Sequence, residues 1–205
     1  TYVDPVSGLV KTAPDNVARV EKGGLLVEEA RTNEVQFSED YNATGWTRTG
    51  ITSTINSGTA PDGTNTASLV QSTVNGAASL KYFVATTGAT TLSAFVKAGT
   101  SHTIHLYLHD DQVKFDLSTE TITAASSATI FATSIEDVGN GWYRCSMTST
   151  RTGQTEKRVI VNNSDGSYQA SIGDNIYVWG VQIEEGDFPT SYIPTSGSTY
   201  QRLAD

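Results

Sequence analysis

The sequence has little cysteine, few basic residues and no long apolar run, and each shortage excludes a class of protein. Only one of its 205 residues is cysteine, so no internal disulfide can form. No apolar run approaches the roughly 18 residues of a transmembrane helix, so membrane insertion is not expected. Lysine and arginine number 13 against 22 acidic residues, which gives a formal charge of −9. An acidic surface repels phosphate groups, and nucleic acid is therefore not an expected partner.

The lone cysteine and the lone methionine carry one expectation each. Cys145 alternates with Tyr143 and Met147 along an apolar strand face, which predicts a buried and inert thiol. Met147 is the only methionine, so the first residue is not an initiator. We expect the chain to be part of a longer or processed polypeptide.

Short apolar and threonine-rich segments separated by turn residues dominate the chain. They include 66–73, 79–85, 90–98, 113–119, 139–150 and 156–163, with turn signals such as 60–64 between them. Nine or ten strands at this spacing predict an all-β protein, an antiparallel β-sandwich of the jelly-roll type. We expect residues 1–32 to form an irregular extended arm and residues 33–205 the sandwich. Residues 15–21 are the one candidate for a short helix, and 164–166 for a turn.

One stretch, 101–111, holds all three histidines of the chain. A period of two places Ile104, Leu106 and Leu108 on the buried side of a strand. The same period predicts an outward row that continues to the end of the stretch, made of His105, Tyr107, His109 and Asp111.

The neighbouring strands add polar side chains to this predicted face. If Val113 and Phe115 face the core, Lys114 faces outward, and the same reasoning points Trp142 and Arg144 away from the apolar face of their strand. Rings and planar polar groups are what sugars contact, so the set is interpreted as one wall of a recognition surface. The alternative that stays open is an ordinary solvated face of an antiparallel sheet.

Metal binding and catalysis are less well supported by the same residues. His105 and His109 lie four residues apart on a strand, about 13 Å, and cannot chelate one ion by themselves. His105 and Tyr107 could act as base and acid of a polysaccharide lyase, with Arg144 or Arg158 neutralising a uronate. The adjacent acidic pairs point to opposite strand faces or lie in turns, which does not suit a glycosidase.

Six motifs in order carry a resemblance to a known group of domains. They are GLLVEEARTN (24–33), FSEDYNATGW (37–46), APDGT (60–64), GNGWYR (139–144), IYVWGVQIEEG (176–186) and PTSYIPT (189–195). This succession resembles the concanavalin A-like or carbohydrate-binding-like jelly-roll domains of phage virion and tail-associated proteins. The resemblance implies a non-catalytic module that binds a polysaccharide or cell-surface glycan, in an extracellular or virion-associated setting.

A more distant similarity, to carbohydrate-binding modules of glycan-degrading enzymes, implies a structural calcium near Asn33 and Asn42. The chain keeps Asn33, Gly45 and Trp46 of that pattern. It departs from the pattern where Tyr41-Asn42 and Trp179-Gly180 replace expected carboxylates. No other cofactor is expected.

Three functions therefore stay open. The first is a glycan-binding module without catalysis. The second is a structural virion domain that works through protein contacts, as a homo-oligomer. The third is a lyase or hydrolase.

Overall fold

The computed structural model describes residues 1–13, 19–21, 24–124, 127–152, 155–162 and 169–204, and in these ranges the regular structure consists of strands. Six short strands lie outside the main sheets: β1 (Tyr2–Val3), β2 (Val10–Lys11), β3 (Arg19–Glu21), β4 (Gly24–Leu26), β5 (Arg31–Asn33) and β18 (Tyr200–Arg202). Twelve form the main sheets: β6 (Trp46–Thr49), β7 (Ile51–Gly58), β8 (Ala67–Ser72), β9 (Ser79–Phe83), β10 (Thr90–Ala98), β11 (Thr103–Leu108), β12 (Asp111–Asp116), β13 (Thr121–Ala124), β14 (Ile130–Gly139), β15 (Trp142–Ser149), β16 (Glu156–Val161) and β17 (Asn175–Glu185).

These twelve strands build two six-stranded antiparallel sheets. The first sheet has the order β14-β15-β10-β17-β8-β7, and the second has the order β13-β12-β11-β16-β9-β6. Consecutive strands alternate between the sheets at several points, as between β9 and β10. The predicted antiparallel sandwich of the jelly-roll type is confirmed.

The main core lies between the two sheets and follows the period of two. Leu92, Ala94 and Val96 alternate along β10, and Leu106 on β11 points at them from the second sheet. Cys145 belongs to this core and is fully buried, as expected; burial in apolar surroundings raises the pKa of its thiol far above the usual value. No helix able to span a membrane occurs in the described ranges.

A second apolar cluster covers the outer face of the first sheet. Three aromatic side chains project outward from this face: Phe95, Trp142 and Trp179. They pack under Val10 of the arm and Tyr192 of the C-terminal segment. Within the predicted arm, β1 pairs with β2 and β3 pairs with β4. Strand β5 pairs with β18 near the C-terminus.

Glu28 holds the arm to the C-terminal segment. Its carboxylate lies 2.6 Å from Arg19 Nη1 and 2.9 Å from Arg202 Nη1, and it accepts a hydrogen bond from the Ser191 amide at 2.7 Å. The arm and the C-terminal segment therefore cover β15, β10 and β17 on the outer face of the first sheet.

A bulge in β17 decides which way Trp179 points. Between Phe95 and Ser93 of β10, the partner strand runs from Trp179 to Gln182 and carries one extra residue. Gly180 takes up that residue with a φ of +58°, and Trp179 and Val181 fall on opposite faces as a result. Trp179 is buried, but it packs under the arm and not between the sheets.

Two local predictions fall partly or wholly on residues outside the described ranges. Of the candidate helix at 15–21, residues 15–18 lie outside the described residues, and residues 19–21 form strand β3, so a helix over the whole segment is wrong. The turn at 164–166 lies outside the described residues.

Candidate functional site

A tight turn ends the outward row earlier than the sequence predicts. Leu108 pairs with Asp111, and the two residues between them, His109 and Asp110, have φ angles of +52° and +69°. Positive φ at both central residues defines a type I′ hairpin turn, which aspartate tolerates better than most residues. The stretch 101–111 is therefore a strand and a turn, and its alternation stops at Leu108.

The placement of His109 and Asp111 on the outer face is wrong because of this turn. His109 is fully buried, and its Nε2 lies 3.1 Å from Oγ1 of Thr86. Asp111 begins β12 with the inward orientation that Val113 and Phe115 continue, and it is 2% exposed.

Asp111 links β12 of the second sheet to β15 of the first. Its carboxylate accepts hydrogen bonds from the hydroxyls of Ser127, Thr129 and Ser149 at 2.6–2.7 Å, and Arg151 Nη2 lies 3.3 Å away. Burial opposes ionisation, but the three hydroxyls and Arg151 outweigh it and keep the pKa of Asp111 below its usual value. These contacts give Asp111 a structural role.

Tyr107 is the centre of a set of interlocked side chains on the outer face of the second sheet. The Arg158 guanidinium lies over its ring, 4.3 Å from the centroid, and the Tyr107 hydroxyl donates to Asp110. Glu156 holds Arg158 through two hydrogen bonds of 2.8 Å and lies 3.1 Å from Lys81 Nζ. We call these five residues the Tyr107 cluster.

The cluster is partly open to solvent. The side chains of Lys81, Glu156 and Arg158 are 21–22% exposed, and Tyr107 is half-buried. Burial, followed by the hydrogen bond to Asp110, raises the pKa of Tyr107 to about 12, so the phenol stays protonated. With one ring face under Arg158, the other face of the ring is held in a fixed orientation.

His105 marks the inner border of this surface. It is 9% exposed, and the amide nitrogen of Asn162 lies 2.8 Å from its Nδ1. Burial and, to a smaller extent, the nearby Lys114 lower the pKa of His105 despite its bond to Asn162. The outward orientation predicted for His105 is right, but the residue is almost covered.

Two polar side chains of β12 flank the cluster. Lys114 lies opposite His105 and Gln112 lies opposite Tyr107 in the antiparallel register. Both are half-buried, and neither side chain makes a hydrogen bond or ion pair with any described residue. Lys114 was expected here, whereas Gln112, Glu156 and Lys81 were missed.

Trp142 and Arg144 do not join this surface. Their side chains project from the outer face of the first sheet. There Trp142 is 1% exposed and donates a hydrogen bond from Nε1 to the Thr59 carbonyl at 3.0 Å. Arg144 stacks on Phe95 and donates to the Thr190 carbonyl at 2.6 Å. Their expected place beside His105 is wrong because β15 belongs to the other sheet. Arg144 lines a cleft of about 170 Å³ under the arm instead.

The residues expected to hold calcium do not fit that ion. Asn33 is fully buried; its amide nitrogen donates to the Ile193 carbonyl at 2.8 Å, and its amide oxygen accepts from the amides of Val35 and Ile183. That oxygen is already occupied by two donors. Asn42 donates its side-chain amide to the Ser53 carbonyl. Within the described ranges, no group of three His, Cys, Asp or Glu residues is placed to hold a metal ion.

Comparison with known proteins gives structural matches of low similarity. No protein-family model matches the sequence, and no curated protein matches it either. One solved structure with a similar chain is the enzymatically active domain of tailspike protein 4 of bacteriophage CBA120, at 17% identity and a TM-score of 0.42, over 74% of this chain and 21% of that one. This chain thus spans about a fifth of the tailspike chain.

Two further matches are to proteins with carbohydrate-binding modules. A mutant of the family 29 module CBM29-2 has 11% identity and a TM-score of 0.43, over 79% of this chain and 98% of that one. The CBM22-1 and GH10 modules of the Clostridium thermocellum xylanase 10B, with xylohexaose bound, have 19% identity and a TM-score of 0.39, over 75% of this chain and 27% of that one. At these identities and TM-scores the matches show no function.

Proposed function

We propose that the chain is a non-catalytic module that binds a polysaccharide on the outer face of its second sheet. The observation that carries the proposal is the Tyr107 cluster, in which an aromatic ring is fixed between Arg158 and Asp110 next to unbonded polar side chains. A ring fixed before binding loses little conformational entropy when a sugar stacks on it. The amide of Gln112 and the ammonium of Lys114 supply donors for sugar oxygens at the same place.

The motifs quoted from the sequence support the same function and its setting. The resemblance to jelly-roll domains of phage virion and tail-associated proteins implies adhesion to a glycan outside the cell. In that role the module would keep a virion or a catalytic neighbour near its polysaccharide.

The geometry of Tyr107 and Arg158 favours binding over a lyase reaction. A lyase needs an arginine whose charge is free to neutralise a uronate, whereas Glu156 engages Arg158 with two hydrogen bonds. It also needs a phenol that exchanges its proton readily, whereas the pKa of Tyr107 is raised to about 12. His105 is nearly covered and bonded to Asn162, which leaves it little access to a substrate.

Affinity electrophoresis of the wild-type chain in gels containing soluble polysaccharides tests this function. Products with new reducing ends or unsaturated ends are measured in parallel. We expect retardation in at least one polysaccharide without any new ends. Cleavage would replace the proposal by a lyase or hydrolase. No retardation in any gel would leave the structural virion domain, and a homo-oligomer found by sedimentation would then support it.

A further inference from the structure

We infer that the ligand of this surface is an anionic polysaccharide, one that carries carboxylate or sulfate groups, and that Lys114 is the residue that selects it. This inference rests on the proposed function and names the chemical class of the glycan. The distribution of charge on the outer face of the second sheet supports it.

The carboxylates that the structure describes on this face are already engaged. Glu156 forms ion pairs with Arg158 and Lys81. Asp110 accepts a hydrogen bond from the Tyr107 hydroxyl. Asp116 accepts hydrogen bonds from the amide and the hydroxyl of Ser118. Each of these carboxylates therefore has fewer free acceptor sites to offer the hydroxyls of a neutral sugar.

Lys114 is different, because its ammonium has no carboxylate partner among the described residues. It lies directly across the strand pair from His105, close enough to influence the titration of that ring. The Lys114 side chain is half-buried while its ammonium has no anionic partner among the described residues, so an incoming carboxylate or sulfate would give it a charge-assisted hydrogen bond.

The face also differs from the rest of the molecule in net charge. Among the described residues it carries three cations, Lys81, Lys114 and Arg158, against the three carboxylates Asp110, Asp116 and Glu156. These six charges sum to zero, so the formal charge of −9 lies mostly on other parts of the chain. An anionic polymer would be repelled by those parts and accepted here, which restricts it to the face that holds Lys114.

The experiment compares three proteins, wild type, Lys114→Gln and Lys97→Gln, in gels of matched polysaccharides. Lys97 lies on the first sheet and donates to the Asn140 carbonyl, so its substitution changes the net charge equally at a distant place. The anionic probes are polygalacturonate, alginate and chondroitin sulfate. The neutral probes are fully methyl-esterified polygalacturonate, xylan and mannan.

We expect an anionic probe to retard the wild type and its neutral counterpart not to. Lys114→Gln should weaken that binding by about tenfold, the effect of one hydrogen bond to a charged group, while Lys97→Gln leaves it unchanged. The binding should also weaken between about 0.05 and 0.5 M salt, because a half-exposed ion pair is screened.

The other outcomes separate the two claims. Retardation by neutral probes alone would overturn the anionic class and leave the glycan-binding function standing. Equal loss for Lys114→Gln and Lys97→Gln would show an effect of net charge and overturn the role of Lys114. No retardation by any probe would overturn both the anionic class and the proposed function.

Discussion

Replacing Asp111 by alanine tests whether this residue has a structural role. The substitution should lower the stability of the fold and leave glycan binding unchanged. The carboxylate is 1% exposed and accepts from the hydroxyls of Ser127, Thr129 and Ser149, with Arg151 beside it. Removing one partner of a buried charged network destabilises a protein by about 3–5 kcal/mol. Two contacts are partly replaceable, since Ser127 also bonds Thr129 at 2.7 Å and the Arg151 side chain is 41% exposed to water. We therefore expect Asp111→Ala to lower the free energy of unfolding by about 3 kcal/mol.

Urea denaturation at neutral pH measures this loss, and Asp116→Ala is the matched control. Asp116 lies on the same strand but faces outward and bonds only a surface turn, so its loss should stay within about 1 kcal/mol. If Asp111→Ala costs no more than Asp116→Ala, the inferred link between the two sheets is wrong.

The pH dependence of the same variant gives a second test with a defined sign. The folded-state pKa of Asp111 is lowered, so its ionised form stabilises the fold above the unfolded-state pKa of about 3.9. That stabilisation is lost as the pH falls through the folded-state pKa. The difference in stability between wild type and Asp111→Ala should therefore be largest at neutral pH and shrink below about pH 4. A difference that grows on acidification would contradict the assignment.

Three further predictions concern the core and calcium. Gly180→Ala should destabilise the protein by about 1–3 kcal/mol more than Gly139→Ala in thermal or urea unfolding. Both glycines have a positive φ, but only at Gly180 would an added Cβ meet an aromatic ring, 3.1 Å from Phe95. Equal effects of the two substitutions would refute the bulge. Added calcium or a chelator should leave the melting temperature unchanged, since the Asn33 oxygen is occupied by two amides; a rise with calcium would contradict that. Cys145 should react with a thiol reagent only after denaturation, and rapid labelling of the native chain would show that its burial is wrong.

The period of two in the sequence was sufficient to predict the sandwich and much of its core. Segment 90–98 became β10 with the same bounds, and Cys145 and Met147 lie in the core as their alternation predicted. Such patterns work because burial is imposed residue by residue along each strand. They do not specify which strands are neighbours, and for this reason Trp142 and Arg144 were assigned to the wrong sheet.

Most of the errors at the candidate site have a local cause. One two-residue turn at His109-Asp110 reversed the chain, and with it the orientation of Asp111. The orientation of Asp111 was recoverable from the sequence, because it shares the parity of Val113 and Phe115. Arg158 and Glu156 share a parity too, but their contact with Tyr107 depends on the register between β11 and β16, which the sequence alone does not reveal.

A pair of tyrosine variants tests most directly whether glycan binds at the outer face of the second sheet. Tyr107→Ala removes the ring at the centre of the proposed site, and Tyr200→Ala removes a 59% exposed ring on β18, beside the arm. In a gel containing a polysaccharide that retards the wild type, we predict at least about tenfold weaker binding for Tyr107→Ala and unchanged binding for Tyr200→Ala. Both variants should unfold at nearly the wild-type temperature. Full retardation of folded Tyr107→Ala would contradict the proposed site, and loss of retardation in Tyr200→Ala alone would move the site to the arm.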